Sequence, residues 1–218
     1  MGRKKRGYQR TIGKLRDYHL FAVACEGSVR EWEYFKMFES LSSRISVDLI
    51  GEIDEDGLVS ATTNSSPDHV LKRAEAYCNE AGLGEGDEVW LVLDVDRWGS
   101  QKLSDLCSEA ANRKWHTAIS NPCFEVWLCY HISATIEDGG KELSSAEMKQ
   151  LLATIASPGG YNCQIFARLA FSAADHARTA DKHQGFRIPK YKETQVYHLI
   201  DAMKSYTSIE EIERFVGK

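Results

Sequence analysis

Phe21-Ala22-Val23-Ala24-Cys25-Glu26-Gly27 and Val89-Trp90-Leu91-Val92-Leu93-Asp94-Val95-Asp96 are two apolar runs, and each ends in carboxylates. A strand covered on both faces reads as a near-continuous apolar run, and such strands are typical of parallel sheets flanked by helices. In an open α/β sheet, ligands collect beyond the carboxyl ends of the strands, where these acids fall. Asp94 and Asp96 are two apart, so an extended chain points both to one side. If the two strands are neighbours, Glu26 joins them in one small volume. Three carboxylates so placed call for a cation, and an all-oxygen donor set suits Mg²⁺ or Mn²⁺.

Working outward, Gly27 permits a tight turn, and Ser28 with Glu31 has the capping-box spacing that opens a helix. Trp32, Phe35, Met37, Phe38 and Leu41 give that helix its packed side. Residues 46–50 read as a second strand and residues 52–66 as a solvated loop without calcium-loop spacing. Ser66-Pro67 starts a helix running to about Ala81, and residues 82–86 return the chain to the Asp94 strand. Residues 97–100 break that strand, 101–115 read as a helix and 117–120 as a fourth strand. Asn121 can then cap a helix with Pro122 at its first position, which places Glu125 in the first turn. The βαβαβαβα order predicts a Rossmann-like parallel core over 19–132. Helices expected at 145–156, 164–183, 194–205 and 209–216 predict a helical lobe over 133–218, packed on that core.

The bulk composition, 43% hydrophobic and 27% charged over 218 residues, is that of an ordinary globular chain. No apolar run is long enough to span a bilayer, and no apolar leader follows the basic start, so a cytoplasmic protein is expected. The six cysteines lack C-x-x-C spacing and read as reduced, structural thiols. Charge is uneven. Residues 1–16 hold seven basic groups and no acid, so the other 20 basic residues face all 32 acids, a net −12. A basic flexible arm over 1–18 on an acidic body suits contact with a polyanion, and equally a solubilising tail.

The order of the acids separates the phosphate-handling α/β classes. A haloacid-dehalogenase-type phosphatase carries D-x-D after its first strand, where this chain has a single Glu. A response-regulator receiver has its acidic pair there and one aspartate later, the reverse order. A P-loop is missing, neither a Ser/His/Asp nor a Cys/His arrangement is signalled, and His131 and His176 read as core or rim histidines.

Glu after the first strand and Asp-x-Asp after the third is the order of the Toprim fold, and the wider string resembles the RloB family within it. The resemblance rests on Ala24-Cys25-Glu26-Gly27 with Glu31 and Tyr34-Phe35, and on Asp87-Glu88-Val89-Trp90 with Asp94 and Asp96. It continues in Ser120-Asn121-Pro122-Cys123-Phe124-Glu125-Val126-Trp127-Leu128 with His131, and in Thr194-Gln195-Val196-Tyr197-His198-Leu199-Ile200. It departs at Asn162-Cys163, where a basic residue is expected beside Tyr161, and in the arm. The resemblance implies a bacterial Toprim-type nuclease of anti-phage defence or abortive infection, often encoded beside an AAA/ABC-type ATPase.

The residues suggest roles. Asp94 and Asp96 would hold Mg²⁺ (or Mn²⁺), and Glu26 would complete that shell or act as general base or acid. Glu125 would bind the metal through water or hold its loop. Ser120 and Asn121 would orient that loop or donate to a phosphate. Arg97 is a candidate phosphate clamp, or a surface arginine paired with a nearby acid. Arg3, Lys4, Lys5, Arg6 and Arg10 in the arm could bring counter-charge to nucleic acid, and Trp98 could stack on an unpaired base. The leading expectation is a metal-dependent nuclease acting on RNA, such as tRNA, or on DNA, in a chain that could self-associate and does not engage membranes. Its competitors are a non-catalytic binding subunit of an ATPase complex and a small-molecule phosphohydrolase or phosphotransferase lidded by the helical lobe.

Overall fold

The computed structural model describes residues 18–27, 29–53, 59–60, 66–96 and 98–217. Strand β1 (His19–Cys25) leads through Glu26-Gly27 into α1 (Arg30–Lys36), which runs on as a 3₁₀ turn at Met37–Ser40. Strand β2 (Ile45–Leu49) is followed by β3 (Glu52–Ile53) and β4 (Val59–Ser60), a short antiparallel ribbon in the segment expected to be loop. Helix α2 (Pro67–Ala81), β5 (Glu88–Asp94), α3 (Ser100–Asn112) and β6 (His116–Ser120) complete the α/β half. Helix α4 (Glu125–Cys129) follows β6, and the C-terminal helical lobe holds α5 (Ser145–Ile155), α6 (Cys163–Arg168), α7 (Ala170–Ala180), α8 (Val196–Ser205) and α9 (Ile209–Val216).

Four strands form one parallel sheet in the order β2-β1-β5-β6. The chain winds outward from β1 to β2, then crosses back to place β5 on the other side of β1. The winding therefore reverses between β1 and β5, which makes that gap the topological switch point where open α/β sheets bind ligands. Cys25 lies opposite Val92, so Glu26 and Asp94 leave their strands at the same edge.

Strand alternation divides the core in two. Phe21, Val23, Cys25, Trp90, Val92 and Ala118 pack in one cluster with α1 and the lobe. Ala22, Ala24, Leu91, Leu93 and Ile119 pack in the other, against Val70 and Ala74 of α2 and Leu103, Leu106 and Ala110 of α3. Both faces are covered, which is why these strands read as continuous apolar runs. The small Ala22 and Ala24 let α2 approach closely. Ser66 caps α2 by accepting the His69 N–H, and Gly82 ends it with φ at +60°, as the sequence predicts.

Other expectations are corrected. Helix α1 begins at Arg30 with Val29 at its N-cap and no side-chain cap bond; Ser28 lies outside the described residues. The Asn121–Pro122 peptide is cis, and α4 starts only at Glu125 with Phe124 at its N-cap; Asn121 instead donates its side-chain amide to the Pro189 carbonyl and its backbone N–H to Glu193. The helix expected at 164–183 is two, broken at Leu169 (φ −89°, ψ 0°) and ended at Asp181, whose carboxylate accepts the His183 N–H and the Tyr197 hydroxyl. Helix α8 starts late because Thr194 bridges Ser120 and the Gln195 N–H donates to Ile119. Among the described residues no helix is long and apolar enough to cross a membrane.

Candidate functional site

Glu26 is 5% exposed, and its carboxylate spans the switch point. Its Oε2 accepts the Asp94 backbone N–H at 3.1 Å, and its Oε1 accepts the Trp98 indole N–H at 2.8 Å. The Glu26 N–H donates to Val92, so the residue is tied to β5 by both backbone and side chain. Glu125, 4% exposed, opens α4, and its Oε1 lies 2.5 Å from Nη1 of Arg30, the first residue of α1. Glu31 turns its carboxylate back over Gly27. A Cβ at position 27 would lie 2.0 to 2.2 Å from Glu31 Oε2, Oε1 and Cδ, so glycine there leaves room for that carboxylate in this position.

These carboxylates oppose one another. Burial pushes Asp94 well above the usual range, reinforced by repulsion from Glu31, Glu26, Glu125 and Asp96. Glu31 is raised from 4.5 to about 7, first by burial and then by Glu125 and Glu26; its own backbone N–H and Lys149 only partly offset this. The Cys25 thiol is pushed up by burial and by Glu31, so it remains a neutral, packed group at the strand end.

The D-x-D pair departs from the extended form expected for it. Strand β5 stops at Asp94, and the chain turns at Val95, whose N–H donates to Ser120 and Pro122. Asp96 is exposed, with its N–H on Pro122. Ser120 is fully buried with its hydroxyl 2.7 Å from that of Thr194, and Asn121 faces the segment that precedes α8. Glu26, Asp94 and Glu125 are thus brought together, whereas Ser120 and Asn121 brace the neighbouring loop. Arg97 and the arm residues Arg3, Lys4, Lys5, Arg6 and Arg10 lie outside the described residues. Arg30, the Glu125 partner, carries no sequence signal beyond following E-G-S. Trp98 was legible only as a stacking candidate, not as the Glu26 donor.

The donor set is carboxylate oxygen, which hard divalent cations take, and its repulsion is what such a cation relieves. Among the described residues no three His, Cys, Asp or Glu are spaced to hold a metal ion as they stand. Glu26 and Glu125 are turned onto N–H donors instead of a shared point. The residues fit a hard cation in chemistry and charge, and coordination would need these carboxylates to turn.

An acid after the first strand and another at the end of its parallel neighbour, meeting at the switch point, define a Toprim-type α/β domain. The chain belongs to the RloB-like protein family, whose model matches residues 21–203. No curated protein and no solved structure matches it.

Proposed function

We propose that this chain is a Mg²⁺-dependent (or Mn²⁺-dependent) nuclease. It would hydrolyse phosphodiester bonds of RNA, such as tRNA, or of DNA, as the effector of a bacterial anti-phage defence system controlled by a partner AAA/ABC-type ATPase. One observation carries the reading: Glu26, Glu31, Asp94 and Glu125 meet at the β1/β5 switch point, where burial first and their mutual repulsion second raise Asp94 and Glu31. Crowded, buried carboxylates lower the stability of a fold at neutral pH, and strongly perturbed groups of this kind cluster at functional sites. Family membership supports the nucleic-acid and defence setting.

Asp94, Asp96 and Glu26 would hold the cation, with Glu125 behind them. When bound, it supplies neutralisation of the charge that builds on phosphodiester oxygens during hydrolysis. The Trp98 indole and the Asp94 N–H hold the Glu26 carboxylate in place of a cation, and cation binding would turn it away from these donors. Arg30 balances Glu125 and keeps that buried charge from being left alone.

A second reading, a Toprim-like binding subunit held by an ATPase, is favoured by the engagement of Glu26 and Glu125 with protein donors. Expression of wild type and Glu26→Gln in a bacterial host, with and without the ATPase, followed by sequencing of RNA and DNA ends, separates the two. New discrete ends that Glu26→Gln abolishes support the nuclease. Identical ends from both proteins, or none when the ATPase is triggered, leave the binding subunit.

A further inference from the structure

Residues 182–192, Lys182-His183-Gln184-Gly185-Phe186-Arg187-Ile188-Pro189-Lys190-Tyr191-Lys192, contain four basic residues and no acid, in a body whose acids outnumber its bases. Several cations elsewhere on that body sit on carboxylates: Lys102 on Asp68, Lys141 on Glu147, Arg178 on Asp201. Lys192 follows this pattern, 2.8 Å from Asp138. Among the described residues, Lys182, Arg187 and Lys190 meet no carboxylate. Lys182 Nζ donates to the Thr179 carbonyl, Arg187 Nη1 donates to Ser104 and Ser108 on α3, and Lys190 Nζ lies 5.7 Å over the Phe186 ring. All three are exposed, and Phe186 is 51% exposed among them.

The segment is held in shape. Buried Glu193 accepts the Lys190 and Lys182 backbone N–H groups at 2.7 and 3.1 Å and pairs with His183 Nδ1 at 2.6 Å, closing the base of the loop. Gln195 donates to the Phe186 carbonyl at 2.8 Å. The segment also adjoins the acidic site. The Asn121 amide donates to Pro189, the Lys192 N–H donates to Asn121, and the next residue, Pro122, accepts the Asp96 N–H.

We propose that residues 182–192 form a contact surface for single-stranded nucleic acid beside the carboxylate site, with Lys182, Arg187 and Lys190 on phosphates and Phe186 stacked on a base. This rests on the nuclease reading and names how its substrate is held. Cations without carboxylate partners bind phosphates at low desolvation cost, and a pre-shaped loop loses little entropy on binding. An exposed ring needs an unpaired base to stack on, which favours a single strand over a duplex.

The test is anisotropy of a labelled single-stranded oligonucleotide with the full-length protein in EDTA, titrated with salt. Arg187→Gln with Lys190→Gln should flatten the slope of log K against log salt by about 1.4, at about 0.7 for each phosphate no longer neutralised. Phe186→Ala should weaken binding roughly 5- to 150-fold while leaving that slope unchanged. Lys190→Gln alone touches only a ring, so its smaller effect on the slope guards against misfolding of the double variant. No binding by wild type, or unchanged affinity and slope in these variants, overturns the surface. Loss of ATPase capture with oligonucleotide affinity intact does the same, and marks a protein-binding face. If the variants lose oligonucleotide binding but no cleavage depends on Glu26, the surface stands and the nuclease falls. If they bind and cleave as wild type while Glu26→Gln is inert, the nuclease stands and the surface falls.

Discussion

Glu31→Gln should stabilise the protein at alkaline pH and leave it unchanged in acid. The folded chain holds the Glu31 carboxyl at about 7 against an ordinary 4.5. Above 4.5 the folded state keeps a proton that the unfolded state has lost, so stability falls as pH rises through that window. The contribution is fully present below about 4.5 and gone above about 7. Its size follows from the displacement, about 3 kcal/mol at 1.36 kcal/mol for each factor of ten. Glutamine mimics the protonated carboxyl at every pH. The variant should therefore match wild type near pH 4.5 and exceed it by about 3 kcal/mol at pH 8, roughly 6 to 12 °C in Tm for a chain of this size. Wild type alone cannot report this. Burial lowers His131 to about 3, which makes stability rise with pH between about 3 and 6.5, the opposite sign. His131 is common to both proteins and cancels in the difference. Urea unfolding of each protein at several pH values, in EDTA, gives that difference. Parallel profiles from pH 4.5 to 8 would refute the raised Glu31 carboxyl, and with it the burial and crowding that raise it.

Three more expectations follow from the same geometry. Mg²⁺ should raise the Tm of wild type more at pH 8 than at pH 5, because protons compete for Asp94 and Glu31; at 100 times Kd the gain is about 2.7 kcal/mol, and calorimetry of Asp94→Asn should show it lost. Gly27→Ala makes the Glu31 carboxylate swing aside and should cost about 1 kcal/mol in urea unfolding, at the low end for an added methyl, with much of that recovered in Gly27→Ala/Glu31→Ala. Tyr34→Phe removes the hydroxyl 3.1 Å from buried His131 Nε2 and should cost about 1 to 3 kcal/mol, read by thermal melts, with no change in oligonucleotide affinity in EDTA.

The fold was legible because its signals are local and strong. Two apolar runs covered on both faces, a Ser-Pro helix start and a Gly stop gave the parallel sheet, its neighbouring β1 and β5, and α2 nearly to the residue. Boundaries failed where tertiary partners overrode the local pattern. Thr194 and Gln195 carry no mark against helix, yet both are taken up by β6. Leu169 breaks a helix without a glycine or proline to announce it. Asn121-Pro122 has good helix-start chemistry and is used instead as a brace between β6 and Pro189.

The site divides along the same line. Glu26, Asp94 and Glu125 were legible as acids at strand and helix ends, but the groups that set their state were not. Glu31 and Arg30 resemble ordinary residues of a helix start, and only the packing shows one pressed on Gly27 and the other paired with Glu125. That packing is what the family-like string mostly encodes. The Tyr34 ring centroid lies 5.7 Å from Phe124, 6.2 Å from Trp127 and 5.5 Å from His131, and all four side chains are buried. Tyr34 belongs to the helix that carries Arg30 and Glu31; Phe124 and Trp127 flank Glu125. The aromatic residues of the string hold two short helix starts together over the β1/β5 gap. A carboxylate cluster this repulsive does not assemble by itself, and the aromatic cluster behind it supplies the attraction that brings it together.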